Sequence, residues 1–142
     1  THEHLYEILE TKVNEEKLFL LSDLTLEKLA VELNVSSKHL SQVIHKKYDT
    51  NFPDFVNNFR VKEVSRLLLI PEYDNYSLEG IAQLCGFKSR SVFNQAFKKF
   101  MGVTPSFYKQ SAKRFLKKAD EIEETVQSKQ VNSLKISQGK IT

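Results

Sequence analysis

Apolar residues recur along this chain mostly at three- and four-residue intervals, the period of helices that bury one face. One such arrangement is written twice. Residues 25–55 read TLEKLAVELNVSSKHLSQVIHKKYDTNFPDF, and residues 77–108 read SLEGIAQLCGFKSRSVFNQAFKKFMGVTPSFY. Leu26, Leu29, Ala30, Leu33 and Val35 recur 52 residues later as Leu78, Ile81, Ala82, Cys85 and Phe87. With one residue added near Val92, Leu40, Gln42, Val43 and Ile44 recur 53 residues later as Phe93, Gln95, Ala96 and Phe97. Each copy predicts an apolar helix, a tight turn and a second helix with a polar, basic outer face. That is the form of a helix-turn-helix.

Residue chemistry at the element ends supports this division. Thr25 and Ser77 are N-caps, with Glu27 and Glu79 in the first turn that follows, where the helix dipole favours an acid. Ala30 and Ala82 are small enough for two helices to cross closely. Asn34 and Gly86 stand at the turns and tolerate left-handed backbone angles. Ser36 or Ser37 caps the next helix, and Ser89 caps its counterpart. On the second helix of the first copy, Leu40, Val43, Ile44 and Tyr48 are expected inward, leaving Lys38, Ser41, Gln42, His45 and Lys46 outward. In the second copy, Phe93, Ala96, Phe97 and Phe100 are expected inward. Arg90, Ser91, Asn94, Gln95, Lys98 and Lys99 are left outward. Neither outward face contains an acid. Amide and guanidinium groups match donor–acceptor patterns on base edges, while Lys and Ser hold phosphates.

Flanking segments complete an all-α plan. Residues 3–21 predict a first helix on Leu5, Ile8, Leu9, Val13 and Leu18 to Leu21. Phe52 to Leu69 predicts a linker helix with Asn51 as cap and Pro53 in its first turn, closed by Pro71. Eighteen residues of helix measure roughly 27 Å. Thr104 and Pro105 start a last helix running towards Ile122. Phe107 is expected in the core with Phe93, Phe97 and Phe100. From Ser128 the chain is polar without clear period and reads as a tail. The expected division is 1–24, an acidic leading helix; 25–51, the first helix-turn-helix; 52–70, the linker; 71–111, the second helix-turn-helix and final helix; and 112–142, a helical extension and polar tail.

Charge sharpens the picture. Residues 1–33 carry net −5, residues 34–118 net +9 and residues 119–142 net −1, within an overall +3. The positive charge lies on the repeats, as expected of a phosphate-binding surface. Cys85 is the only cysteine, so no disulfide framework or CxxC metal site is available; it reads as a buried thiol in a reducing compartment.

These residues resemble the DNA-binding domain of the AraC/XylS family of transcription regulators over about residues 18–111. IAQLCGFKSRSVFNQAFKKFMGVTPSFYK is similar to that family's C-terminal signature, and FPDFVNNFRVKEVSRLLL resembles its linker helix, with Arg60 on the expected Arg. The resemblance implies two helix-turn-helix subdomains joined by a long linker helix, with recognition helices in successive major grooves of double-stranded DNA. By position it puts contacts on Ser37, Lys38, Ser41 and Gln42 in the first copy, and on Arg90, Ser91, Asn94 and Gln95 in the second. His45, Lys46, Ser89, Lys98 and Lys99 join them as candidates. Lys109 stands where the family has Arg, keeping a phosphate partner but losing the bidentate fork. Arg60 is implied to be structural rather than a base reader.

No GxGxxG, P-loop, HExxH or nucleophile elbow is present, so no enzyme activity and no cofactor is expected. His39 and His45 are too far apart on their helix for i, i+4 zinc ligation, and His2–His4 reads as a solvated terminus. The apolar runs are too short for a membrane helix. The expectation is a bacterial, cytoplasmic DNA-binding domain excised from a longer protein, whose sensory or effector domain is missing here and could tether it to a membrane. The rival is a helical protein-interaction module that binds a partner such as RNA polymerase or another regulator; under either reading the acidic first helix (Glu7, Glu10, Glu15, Glu16), which would repel phosphate, is the place for a protein contact.

Overall fold

The computed structural model describes residues 2–139 as seven α-helices and short connecting turns, with no strand among the described residues. The helices are α1 (His2–Glu10), α2 (Leu26–Glu32), α3 (Ser37–Tyr48), α4 (Phe52–Leu67), α5 (Leu78–Leu84), α6 (Arg90–Met101) and α7 (Pro105–Gly139). The all-α architecture is as expected. α2 and α3 form the first helix-turn-helix, and α5 and α6 the second.

Local chemistry sets these boundaries. The side chains of Thr25, Ser36, Asn51, Ser77 and Ser89 each accept a backbone N–H three residues on, at 2.9–3.3 Å. Ser36, not Ser37, is thus the cap of α3. Asn34 turns the first copy at φ 55° and Gly86 the second at φ 100°. α3 ends on left-handed Asp49 and α6 on Gly102. α4 stops at Leu67, two residues early, because Ile70 is extended ahead of Pro71.

Two hydrophobic clusters lie along α4. Phe55 and Val56 pack with Leu29, Leu40 and Ile44 of the first copy. Val61, Val64, Leu67 and Leu68 pack with Ile81, Phe93 and Phe97 of the second. α4 is therefore apolar on more than one side, since each half buries a different face. Cys85 is fully buried in the second cluster, and burial pushes its thiol up to about 12.

The N-terminal segment departs from a single helix over 3–21. α1 runs on into a π turn at Thr11–Glu15, and Lys17 then takes left-handed angles, φ 57° and ψ 42°. A 3-10 turn, Leu18–Leu20, follows. The apolar stripe does bury: Leu5, Leu9 and Val13 join the first cluster, and the Tyr48 hydroxyl donates to Glu10. The bend presents the Phe19 and Leu21 carbonyls to Arg60. Arg60 Nε donates to Phe19 O at 2.7 Å, and its NH2 group to Leu21 O at 2.8 Å.

Arg60 is buried, and burial lowers the pKa of its guanidinium. Its plane also lies 5.9 Å from the Phe87 ring centre. A Cβ added at Gly86 would fall 2.5 Å from Phe19 O and 2.7 Å from Arg60 Nε. One side chain of α4 thus ties the N-terminal segment to the turn of the second copy.

Two further expectations are corrected. Phe107 is 58% exposed rather than core, because Gly102 ends α6 and resets the helical phase. The polar stretch from Ser128 is not an aperiodic tail: it continues α7 as far as Gly139, while 140–142 lie outside the described residues.

Arg60→Met should destabilise the domain by about 1–3 kcal/mol in urea denaturation, because the buried Phe19 carbonyl loses its donor and the Leu21 carbonyl keeps only the Leu24 N–H; an unchanged midpoint would show that the joint carries no stability. Gly86→Ala should cost about 2–5 kcal/mol through positive-φ strain and overlap with Phe19 O. A shift under about 1 kcal/mol, below the range of those penalties, would contradict that close approach.

Candidate nucleic-acid interface

The second helix of each copy buries one face and presents the other. On α3, Leu40, Val43 and Ile44 are buried, while Lys38, Ser41, Gln42, His45 and Lys46 are exposed and Ser37 is half-buried. On α6, Phe93, Ala96 and Phe97 are buried, while Arg90, Ser91, Asn94, Gln95, Lys98 and Lys99 are exposed. Ser89 is exposed at the α6 cap. The apolar spacing alone dictates this split, so the polar set is outward because the phenylalanines and aliphatics are inward.

The residues of the second copy are gathered more tightly. Arg90, Asn94, Gln95 and Lys98 line a groove of about 500 Å³ that also reaches Glu79 of α5 and Thr104 of the α7 N-terminus. Thr104 caps α7, its hydroxyl accepting the Phe107 N–H at 3.2 Å. The groove therefore joins an amide-and-cation floor to a helix N-terminus, an arrangement suited to an anionic backbone running past polar base edges.

Acids from other elements modify this surface, although the recognition faces themselves have none. Arg90 Nε lies 3.1 Å from Glu79 Oε1. Lys99 Nζ donates to Asp54 Oδ2 at 2.6 Å and lies 5.7 Å from the Phe100 ring centre. Lys99 thus faces α4, in a different hollow from Lys98. Lys109 is half-buried, and its Nζ donates to the Tyr76 carbonyl at 3.4 Å. Lys38, Lys46 and Lys98 pair with no carboxylate among the described residues.

Lys88, which the pattern of helix faces passes over, is exposed in the turn between Gly86 and the α6 cap, beside Ser89 and Arg90. The signal that marks it is a cation one residue before the Ser89 cap of α6, in a turn whose sequence otherwise speaks only of backbone freedom.

Comparison with known proteins agrees with this fold. A family profile described as a helix-turn-helix domain matches residues 29–111. The porin thermoregulatory protein EnvY of Escherichia coli (strain K12) is 36% identical over 63 residues, 44% of this chain and 24% of its own length. The chain thus spans about a quarter of that relative. Among solved structures, the C-terminal domain of AraT, a response regulator from Geobacillus stearothermophilus, superposes with a TM-score of 0.61 at 31% identity, covering 78% of this chain and 84% of that one. The C-terminal domain of the two-component response regulator yesN from Fusobacterium nucleatum gives a TM-score of 0.57 at 31% identity, covering 75% and 95%.

Glu79→Gln should release the Arg90 guanidinium and remove a negative charge from the groove. Affinity for heparin, a sequence-neutral polyanion, should rise roughly 3–8-fold at 0.1 M salt, the worth of about one added phosphate-like contact. Unchanged retention would mean that Glu79 does not restrain Arg90.

Proposed function

Because the chain belongs to the AraC/XylS family of helix-turn-helix transcription regulators, we propose that it binds double-stranded DNA sequence-specifically, with α3 and α6 entering successive major grooves on one face. The observation that carries this reading is the pairing of two outward helix faces, both rich in amides, hydroxyls and cations, on opposite halves of one linker helix. The sixteen residues of α4 span roughly 24 Å, a rigid spacer somewhat under the roughly 34 Å between groove segments one turn apart.

The two helices have different tasks in this account. Arg90, Asn94 and Gln95 read base edges from the groove beside α7, with Ser91 beside them. Lys88, Ser89 and Lys98 hold phosphates there. On α3, Gln42 is the main amide reader, Ser37, Lys38 and Ser41 stand at its N-terminal end, and His45 and Lys46 follow the backbone. Lys99 and Lys109 act as second-rank phosphate contacts, since each already has a partner within the chain. The target is then two unlike half-elements rather than a palindrome. Binding, not catalysis, is the activity.

A helical protein-interaction module would share the fold but not the salt dependence, because neutralised phosphates release counterions on binding. With a duplex selected from a random pool, affinity should fall steeply as salt rises. Inserting about half a helical turn between its half-elements should weaken binding at least ~10-fold, since one recognition helix then meets the wrong side of the duplex. Equal affinity for both duplexes would overturn the two-groove arrangement.

A further inference from the structure

The function proposed above leaves most of α7 unused. Every residue from Lys113 to Ser137 is exposed, so the helix leaves the domain after the buried Ala112. It nonetheless carries large apolar side chains: Phe115 is 72% exposed, Ile122 56%, Val126 48% and Ile136 63%. With Ala119, Lys129 and Ser133 they mark an alternation of three and four residues: Phe115, Ala119, Ile122, Val126, Lys129, Ser133 and Ile136. That is a heptad seam, with Ala119, Val126 and Ser133 at a, and Phe115, Ile122, Lys129 and Ile136 at d. Leu116, Val131 and Leu134 fall outside it.

The helix is poorly equipped to stand alone. Lys113–Lys117, Arg114–Lys118 and Asp120–Glu124 are like charges at i, i+4, and α7 contains no ion pair among the described residues. A seam repeating every 3.5 residues asks for a second helix, because a straight helix of 3.6 residues per turn cannot keep such a stripe on one side. At that pitch Ala119 lies only about 20° around the axis from the buried Ala112, so the seam begins on the face that Ala112 packs and drifts from it by about 20° per heptad.

We propose that residues 115–136 of α7 pair with the same segment of a second copy as a parallel, in-register coiled coil. Charge selects this occupant. In that register the g position Lys118 faces the e position Glu123 of the second copy, and the pair occurs twice by symmetry. The other charges of 113–124 occupy b, c and f, on the outer faces. Ala119 lets the two backbones approach closely. Lys129 and Ser133 make the seam partly polar, which lowers affinity while favouring one register. The dimer is therefore weak, and its two DNA-binding domains would gain by avidity where two sites lie close together.

Sedimentation equilibrium of the 142-residue chain, without DNA, tests this. It should show a monomer–dimer equilibrium with Kd of roughly 1–100 µM. Ile122→Asp, at an exposed position, should weaken it at least ~10-fold while the thermal unfolding of the domain stays unchanged. Lys118→Glu should weaken it, and adding Glu123→Lys should restore it. Ser133→Cys should give a disulfide-linked dimer on mild oxidation, with the buried Cys85 not competing. A chain that stays monomeric at about 200 µM, twice the weakest expected Kd, overturns the proposal. So does a dimer indifferent to Ile122→Asp, or a Ser133→Cys variant that does not cross-link. None of these outcomes depends on DNA binding.

Discussion

A single buried guanidinium holds the two halves of this domain in register. Arg60 sits midway along α4, between the cluster of the first copy and that of the second. It has no carboxylate partner among the described residues; its charge is met by the Phe19 and Leu21 carbonyls and by Asn57 Oδ1 at 3.3 Å. Burying such a group is costly unless its donors are satisfied, so the N-terminal segment must bend to bring those carbonyls to it. Left-handed Lys17 and the 3-10 turn are the form that bend takes. Gly86 is drawn into the same constraint, because only a residue without Cβ clears Phe19 O and Arg60 Nε.

From this joint the positions of both recognition helices follow. Leu20 packs against both clusters, so the bent segment braces the two copies as well as closing over Arg60. The Lys99–Asp54 pair adds a polar tie from α6 to α4. Such ties resist relative rotation of the copies, the stiffness that the proposed engagement of two groove segments requires.

Much of this was legible in the residues. The doubled order of apolar positions placed α2, α3, α5 and α6, and the capping residues marked their starts, because both signals are local. Asn34 and Gly86 were legible as turns for the same reason. What escaped was set by distant partners or by a change of period. The stripe through Leu18 to Leu21 continues the phase of α1, yet the demand of Arg60, 41 positions after Phe19, bends it. Phe107 kept the spacing of the α6 phenylalanines but sits on another helix. The far part of α7 is helical although its apolar residues, Val131, Leu134 and Ile136, follow no single helical stripe, so local periodicity does not mark it. Of the candidate site, the exposed faces were readable from their buried opposites. The Glu79–Arg90 and Asp54–Lys99 pairs join residues far apart in the chain, and no helical periodicity encodes them.

The central claim is that two unlike helix faces, held rigidly by one linker, engage one face of a duplex together. Hydroxyl-radical footprinting of the chain on a selected duplex tests it most directly. Two protected backbone patches on the same face, about one helical turn apart and unequal in extent, are expected. A single protected patch, or two on opposite faces, would contradict it.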